Sequence, residues 1–244
     1  MPNFCHHPLA DLAAGPFRSS RSQEAGHNVG PPPPPDHNLP DPELTSRGVT
    51  QCLSIPTMYT SFFAALQERD PSDTVFLVSP LRRTLQTLLL GFSSVLPPAA
   101  GDRAIQVVIL PQLQECGSWP CDTGAPLEVT KSLFPQPWLD WTEVDRHPEW
   151  NRNEGAFRCD DEQNNVARAR WVRNYIRQRK ERHVVVVSHH GLLRRLVKAP
   201  HAHNRMKSPV QWENAAMRAY RFTNPSSAYE DPEADLARID DFVL

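Results

Sequence analysis

The chain has 244 residues, with 26 basic against 28 acidic side chains and a formal net charge of −2. That length can bury one large core, and the near-neutral balance offers no basic field for nucleic acid or for a membrane surface. No apolar run approaches membrane-spanning length.

The first 20 residues are poorly patterned, and Phe17-Arg18-Ser19-Ser20 has too few β-branched residues to predict a strand. Residues 1–16 hold no basic segment followed by an apolar core, so no secretory leader is expected. Twenty-five prolines mark loops, and residues 31–35 form a stiff extended spacer. Thr45 or Ser46 caps a helix beginning near Arg47, which Pro56 interrupts or kinks, and residues 59–67 continue it with an apolar face. Residues 74–78 read as a buried strand, ended by Ser79-Pro80, which opens a helix through Leu90. A third strand is predicted over residues 105–110.

Residues 111–160 are irregular and rich in Trp and Pro, a candidate cap or insertion around a site. A charged helix follows over residues 162–182, its apolar stripe being Val166, Ala169, Val172 and Ile176. Four valines at 184–187 then predict a strand buried on both faces, which stops at Ser188-His189-His190-Gly191 before an apolar helical pattern resumes at Leu192. A last strand is predicted over residues 217–222, and the acidic tail from 224 to 244 is read as loose. The domain itself is thus placed at residues 21–223. Strands alternating with helices argue for a largely parallel sheet covered on both faces.

Five scattered cysteines (Cys5, Cys52, Cys116, Cys121, Cys159) are odd in number, and no second pair completes a zinc site beside Cys116 and Cys121. Reduced thiols and a cytoplasmic protein are the expectation, with no metal and no cofactor.

In open α/β sheets, ligands bind where parallel strands end. Four places meet that description: the stretch from Arg21 to Asn28, the helix opening at Ser79 to Thr87, Leu113-Gln114-Glu115, and the strand end at His189. Arginines, a carboxyl group and a histidine at one sheet edge suit a phosphate ester. Guanidinium forks grip its oxygens, and a carboxylic acid can protonate the leaving group.

The motifs in order resemble the histidine phosphatase superfamily, the phosphoglycerate mutase-like group, especially its fungal-type small members. They are Leu44-Thr45-x-x-Gly48-x-x-Gln51, Ser79-Pro80-Leu81-x-Arg83-Thr84-x-Gln86-Thr87, Leu113-Gln114-Glu115 leading to Trp119-Pro120-Cys121-Asp122-Thr123-Gly124, Ser188-His189, and Trp212-x-Asn214-Ala215. The resemblance implies a three-layer α/β/α sandwich with a mostly parallel central sheet and a pocket for a small phosphorylated or anionic metabolite. Carried across, Arg21 and Arg83 grip the phosphate, Asn28 is a further contact, His189 is the second pocket histidine, and Glu115 is the candidate proton donor.

One departure bears on activity. The family opens on Arg-His, and that histidine attacks phosphorus; aligned on Arg21 and His27-Asn28, this position holds Ser22. Serine without an adjacent base is a weak nucleophile, so phosphomonoester hydrolysis is expected to be reduced or absent. Ala216 stands where such relatives often carry glutamate. The bland readings are a packing role for Trp138, Trp141 and Trp150, a solvated charge at Arg82, and a supporting role for His190. Two other functions fit the same residues: an acid–base enzyme acting on a small metabolite, and a non-catalytic binding protein.

Overall fold

The computed structural model describes residues 17–21, 37–198, 213–224 and 232–239. Its strands in chain order are β1 (Phe17–Arg21), β2 (Thr74–Val78), β3 (Gln106–Ile109), β4 (Leu139–Asp140), β5 (His183–Ser188), β6 (Met217–Phe222) and β7 (Leu236–Ile239). The helices are α1 (Ser46–Met58), α2 (Thr60–Glu68), α3 (Arg82–Gly91), α4 (Leu127–Leu133), α5 (Thr142–Asp145), α6 (Glu162–Arg177) and α7 (His190–Leu196).

The strands form one sheet in the order β4-β3-β2-β5-β1-β6-β7. The pairs β4–β3, β3–β2, β2–β5 and β5–β1 are parallel, whereas β6 runs antiparallel to both β1 and β7. The valine run explains why the sheet is covered twice. Side chains alternate along a strand, so Val185 and Val187 join one core with Phe76, Val78, Ile55, Phe62 and Leu85 from β2, α1, α2 and α3. Val184 and Val186 join a second core with Val75, Leu77, Ala169, Val172 and Leu192 from β2, α6 and α7. The result is the three-layer α/β/α sandwich expected from the sequence. Burying each such Val, Leu or Phe contributes about 1.5–3 kcal/mol, and both central strands are buried along their whole length.

Local signals set several boundaries. Thr45 caps α1, its Oγ1 accepting the Gly48 N–H at 3.0 Å, and Pro56 falls in the last turn before the chain breaks into α2. Thr84 Oγ1 donates to the Ser79 carbonyl at 2.8 Å, closing the turn between β2 and α3. The apolar stripe of α6 differs from expectation at Val166, which is exposed. The inward face instead carries Asn165, Arg168, Ala169, Val172, Arg173 and Ile176, because polar groups on neighbouring loops partner the two arginines.

Three expectations about organisation are corrected. The stretch Phe17–Arg21, read as unpatterned, is the strand β1 between β5 and β6, so the domain begins before residue 21. Hydrogen bonding on both sides supplies what its side chains lack in propensity. The irregular region 111–160 contributes β4 to the sheet edge as well as covering loops. The tail is not loose throughout: β7 pairs with β6 over Ala219 to Phe222. Glu233 lies 3.0 Å from Arg170, 3.4 Å from Arg173 and 3.2 Å from Lys198, while Arg173 Nε donates to its carbonyl. No helix among the described residues is long and apolar enough to cross a membrane.

Candidate functional site

Four neighbouring parallel strands, in the order β3-β2-β5-β1, deliver candidate residues to one edge of the sheet. Arg21 is the last residue of β1 and lies opposite Ser188 of β5, one residue before His189. Val78 of β2 lies opposite Val187 of β5, so Ser79 emerges beside the same strand end, and its N–H donates to the Val187 carbonyl at 3.0 Å. Since β6 runs the other way, with Met217 opposite Ser20, Asn214, Ala215 and Ala216 reach this edge as well. Ser22, His27, Asn28 and the proline run at 31–35 lie outside the described residues.

His189 is fully enclosed at the start of α7, with 1% of its surface exposed. Its Nε2 lies 2.8 Å from the hydroxyl of the equally buried Ser79. That contact fixes the ring's orientation through the end of β2. The Ser188 hydroxyl donates to the Leu113 carbonyl at 2.7 Å, tying the end of β5 to the loop that carries Glu115.

Arg83 is buried in the first turn of α3, as its motif implies. It donates through Nη1 to the Cys121 carbonyl at 2.6 Å and through Nη2 to Asp122 Oδ1 at 3.3 Å. Its neighbour Arg82 instead meets Glu43 at 2.6 Å on the surface, where such pairs contribute at most about 1 kcal/mol.

The two carboxyl groups near Arg83 have different environments. Glu115 Oε1 accepts the Cys116 N–H at 2.8 Å and Oε2 accepts the Gly191 N–H at 3.2 Å. Burial alone would raise its pKa, but those two donors, with the charges of Arg83 and His190, hold it below the usual glutamate value. Asp122 is the opposite case. Burial and the negative charge of Glu115 push its pKa up to about 6, against the pull of Arg83. The backbone at Gly117 approaches so closely that a Cβ there would sit 2.0 Å from Asp122 Oδ2. Asp122 received no role from sequence reasoning. Its motif was visible, but the burial that distinguishes it is not a sequence property.

A second residue missed in the sequence is Asp41, which is buried between two prolines with a left-handed φ of 36°. Its carboxylate accepts the Arg82 N–H at 3.0 Å and the Ala125 N–H at 3.1 Å, while its own N–H donates to the Pro120 carbonyl at 3.3 Å. It thereby clamps the start of α3 to the loop bearing Asp122. Burial raises its pKa despite these bonds. Trp150 is wholly buried, and Trp138 and Trp141 pack against the same core.

Gly191 is required by close approach. A Cβ there would lie 2.3 Å from Glu115 Oε1, an atom pinned by the Cys116 N–H rather than free to swing away. Gly191→Ala is expected to cost about 1–3 kcal/mol of stability through this overpacking. Thermal unfolding checks it, and an unchanged midpoint would mean that the Glu115 carboxylate yields.

Comparison with known proteins places the chain in a family. The model of the histidine phosphatase superfamily (branch 1) matches residues 37–231, and the chain belongs to that superfamily. The match begins after the Arg21–Asn28 stretch. A probable phosphatase of Schizosaccharomyces pombe is 30% identical over 154 residues, a match spanning 63% of this chain and 64% of that relative. Among solved structures, a candidate alpha-ribazole-5'-P phosphatase from Escherichia coli has a TM-score of 0.51 at 17% identity, covering 93% of this chain and 96% of that one. At that identity it speaks for the fold alone. A phosphoserine phosphatase variant from Entamoeba histolytica, in complex with phosphoserine, has a TM-score of 0.47 at 12% identity, with 92% and 95% covered.

Proposed function

We propose that this histidine phosphatase-like chain binds small phosphorylated metabolites at the sheet edge, in the cytoplasm. Hydrolysis of the phosphomonoester is reduced or absent because Ser22 stands where the family has its nucleophilic histidine. The observation that carries the reading is that Arg83, in the first turn of α3 after β2, and His189, just past β5, are both buried beyond the ends of adjacent parallel strands, with Asp122 at 3.3 Å from the guanidinium.

In this reading Arg83 and Arg21 grip the phosphate oxygens with Asn28, and His189, oriented by Ser79, contacts the same group. An arriving phosphate dianion competes with Asp122 for Arg83 and adds negative charge beside it. Both effects favour the neutral carboxylic acid, which starts from a pKa of about 6. Asp122 can then give its proton to the departing alkoxide. The role assigned to Glu115 from the sequence therefore passes to Asp122: a carboxylate with both oxygens accepting backbone N–H groups is a poor proton source. Glu115 instead holds the start of α7, and with it His189, in place.

The experiment is a titration of inorganic phosphate by calorimetry beside an assay on a generic aryl phosphate. Phosphate is expected to bind the wild type, and Arg83→Met to weaken it roughly 10- to 100-fold, the worth of a charge-assisted hydrogen bond. Aryl phosphate turnover is expected at or near background. Vigorous wild-type turnover, abolished in His189→Ala, would overturn the account of Ser22. Failure to bind phosphate would favour an acid–base enzyme acting on an uncharged metabolite.

A further inference from the structure

We propose that Trp119 and His37 form an aromatic rim that selects phosphomonoesters whose organic group carries a planar aromatic ring. This rests on the phosphate-pocket reading and deepens it.

Trp119 opens the 3₁₀ turn Pro120–Asp122, and its carbonyl accepts the Asp122 N–H at 2.8 Å. Exposure falls steeply across this short distance. Trp119 is 57% exposed, whereas the side chains of Asp122 and Arg83 are 13% and 3% exposed. The indole is thus the exposed end of a short segment whose buried end, at Cys121 and Asp122, meets the guanidinium. The ring of His37 lies beside it, with centroids 5.6 Å apart and planes tilted by 36°. This neighbour is held in place: the Cys121 N–H donates to the His37 carbonyl at 3.2 Å, and Arg83 grips the Cys121 carbonyl from the other side. His37 is also close enough that its charge favours ionised Asp122. Leu39, on the same loop, is 43% exposed.

A single exposed apolar residue needs no explanation. Here, however, a large indole and an imidazole share a surface joined by one backbone turn to both the acid and the arginine. An aryl or arylalkyl phosphate would place its anion at Arg83 and its ring against Trp119. A tilted or offset aromatic contact would then tighten binding by roughly 3- to 10-fold beyond simple burial.

The test uses the full chain with phosphonates, whose carbon–phosphorus bond removes turnover from the measurement. Calorimetry compares 2-phenylethylphosphonate with ethylphosphonate and inorganic phosphate. The phenyl probe is expected to bind wild type about 10-fold more tightly than the ethyl probe. Trp119→Ala is expected to bind the two alike, and Trp119→Phe to keep most of the preference. Equal affinities in wild type, or a preference that survives Trp119→Ala, overturn this inference while leaving the anion pocket standing. A chain that binds neither phosphonate nor phosphate overturns the pocket reading and the inference with it.

Discussion

Ser22→His is expected to raise aryl phosphate turnover by at least about 10³-fold over the wild type. The magnitude follows from the role proposed for this position. Removing the nucleophile of a serine protease lowers turnover by about 10⁶, and restoring an imidazole here should recover a large part of a comparable loss. Residue 22 follows directly on Arg21, which lies opposite Ser188, and His189 is held at 2.8 Å from Ser79 at that same edge. An imidazole also forms a phosphoramidate, which water cleaves more readily than a serine phosphoester. His189→Ala added to Ser22→His should return turnover to background. A Ser22→His protein that binds phosphate yet gains no turnover would show that the deficit lies elsewhere in the pocket.

Asp122→Asn is expected to have opposite effects on activity and stability. In the Ser22→His background, losing the proposed proton donor should lower turnover by about 10²–10⁴. Stability should move the other way, and only above a certain pH. The folded-state pKa of Asp122 is raised to about 6, so between the ordinary aspartate value and 6 the folded chain holds more protons than the unfolded one. Stability therefore falls as pH rises through that window, and the ionised aspartate is a liability above it. Asparagine resembles the neutral form and removes the repulsion from Glu115. The gain at pH 8 should be on the order of 1–3 kcal/mol, or a few degrees in the thermal midpoint, and should vanish near pH 4. Thermal scans at the two pH values decide it. A loss of stability at pH 8 would mean that the contact with Arg83 outweighs burial and the Glu115 charge.

The legible parts of this fold were those where a local pattern and its tertiary environment agree. Residues 74–78 announced a buried strand and the valine run one buried on both faces, and they are the centre of the sheet. The motif at 79–87 placed Arg83 correctly at the opening of a helix, and it is buried there. The stretch Phe17–Arg21 carried no such pattern. It became a strand because β5 and β6 flank it, a condition met only once distant segments, residues 183–188 and 217–222, are folded against it. The same holds for β7, whose acidic neighbourhood looked like a solvated tail until Arg170, Arg173 and Lys198 supplied its partners.

From the sequence alone came the identity and order of the motifs, the alternation that makes the sheet two-faced, and the expectation that Ser22 stands at the family's nucleophile position. These are properties of residue type and spacing, which no folding can alter. Only the tertiary structure distinguished the two acids. Glu115 and Asp122 are both carboxyl groups near one arginine, and nothing in their chain neighbours ranks them. Backbone N–H groups from Cys116 and Gly191 keep the first ionised, while burial and that first charge press the second toward its neutral form. Proton affinity depends on how much water and which charges surround a group, and those are settled by segments that meet only when the chain has folded.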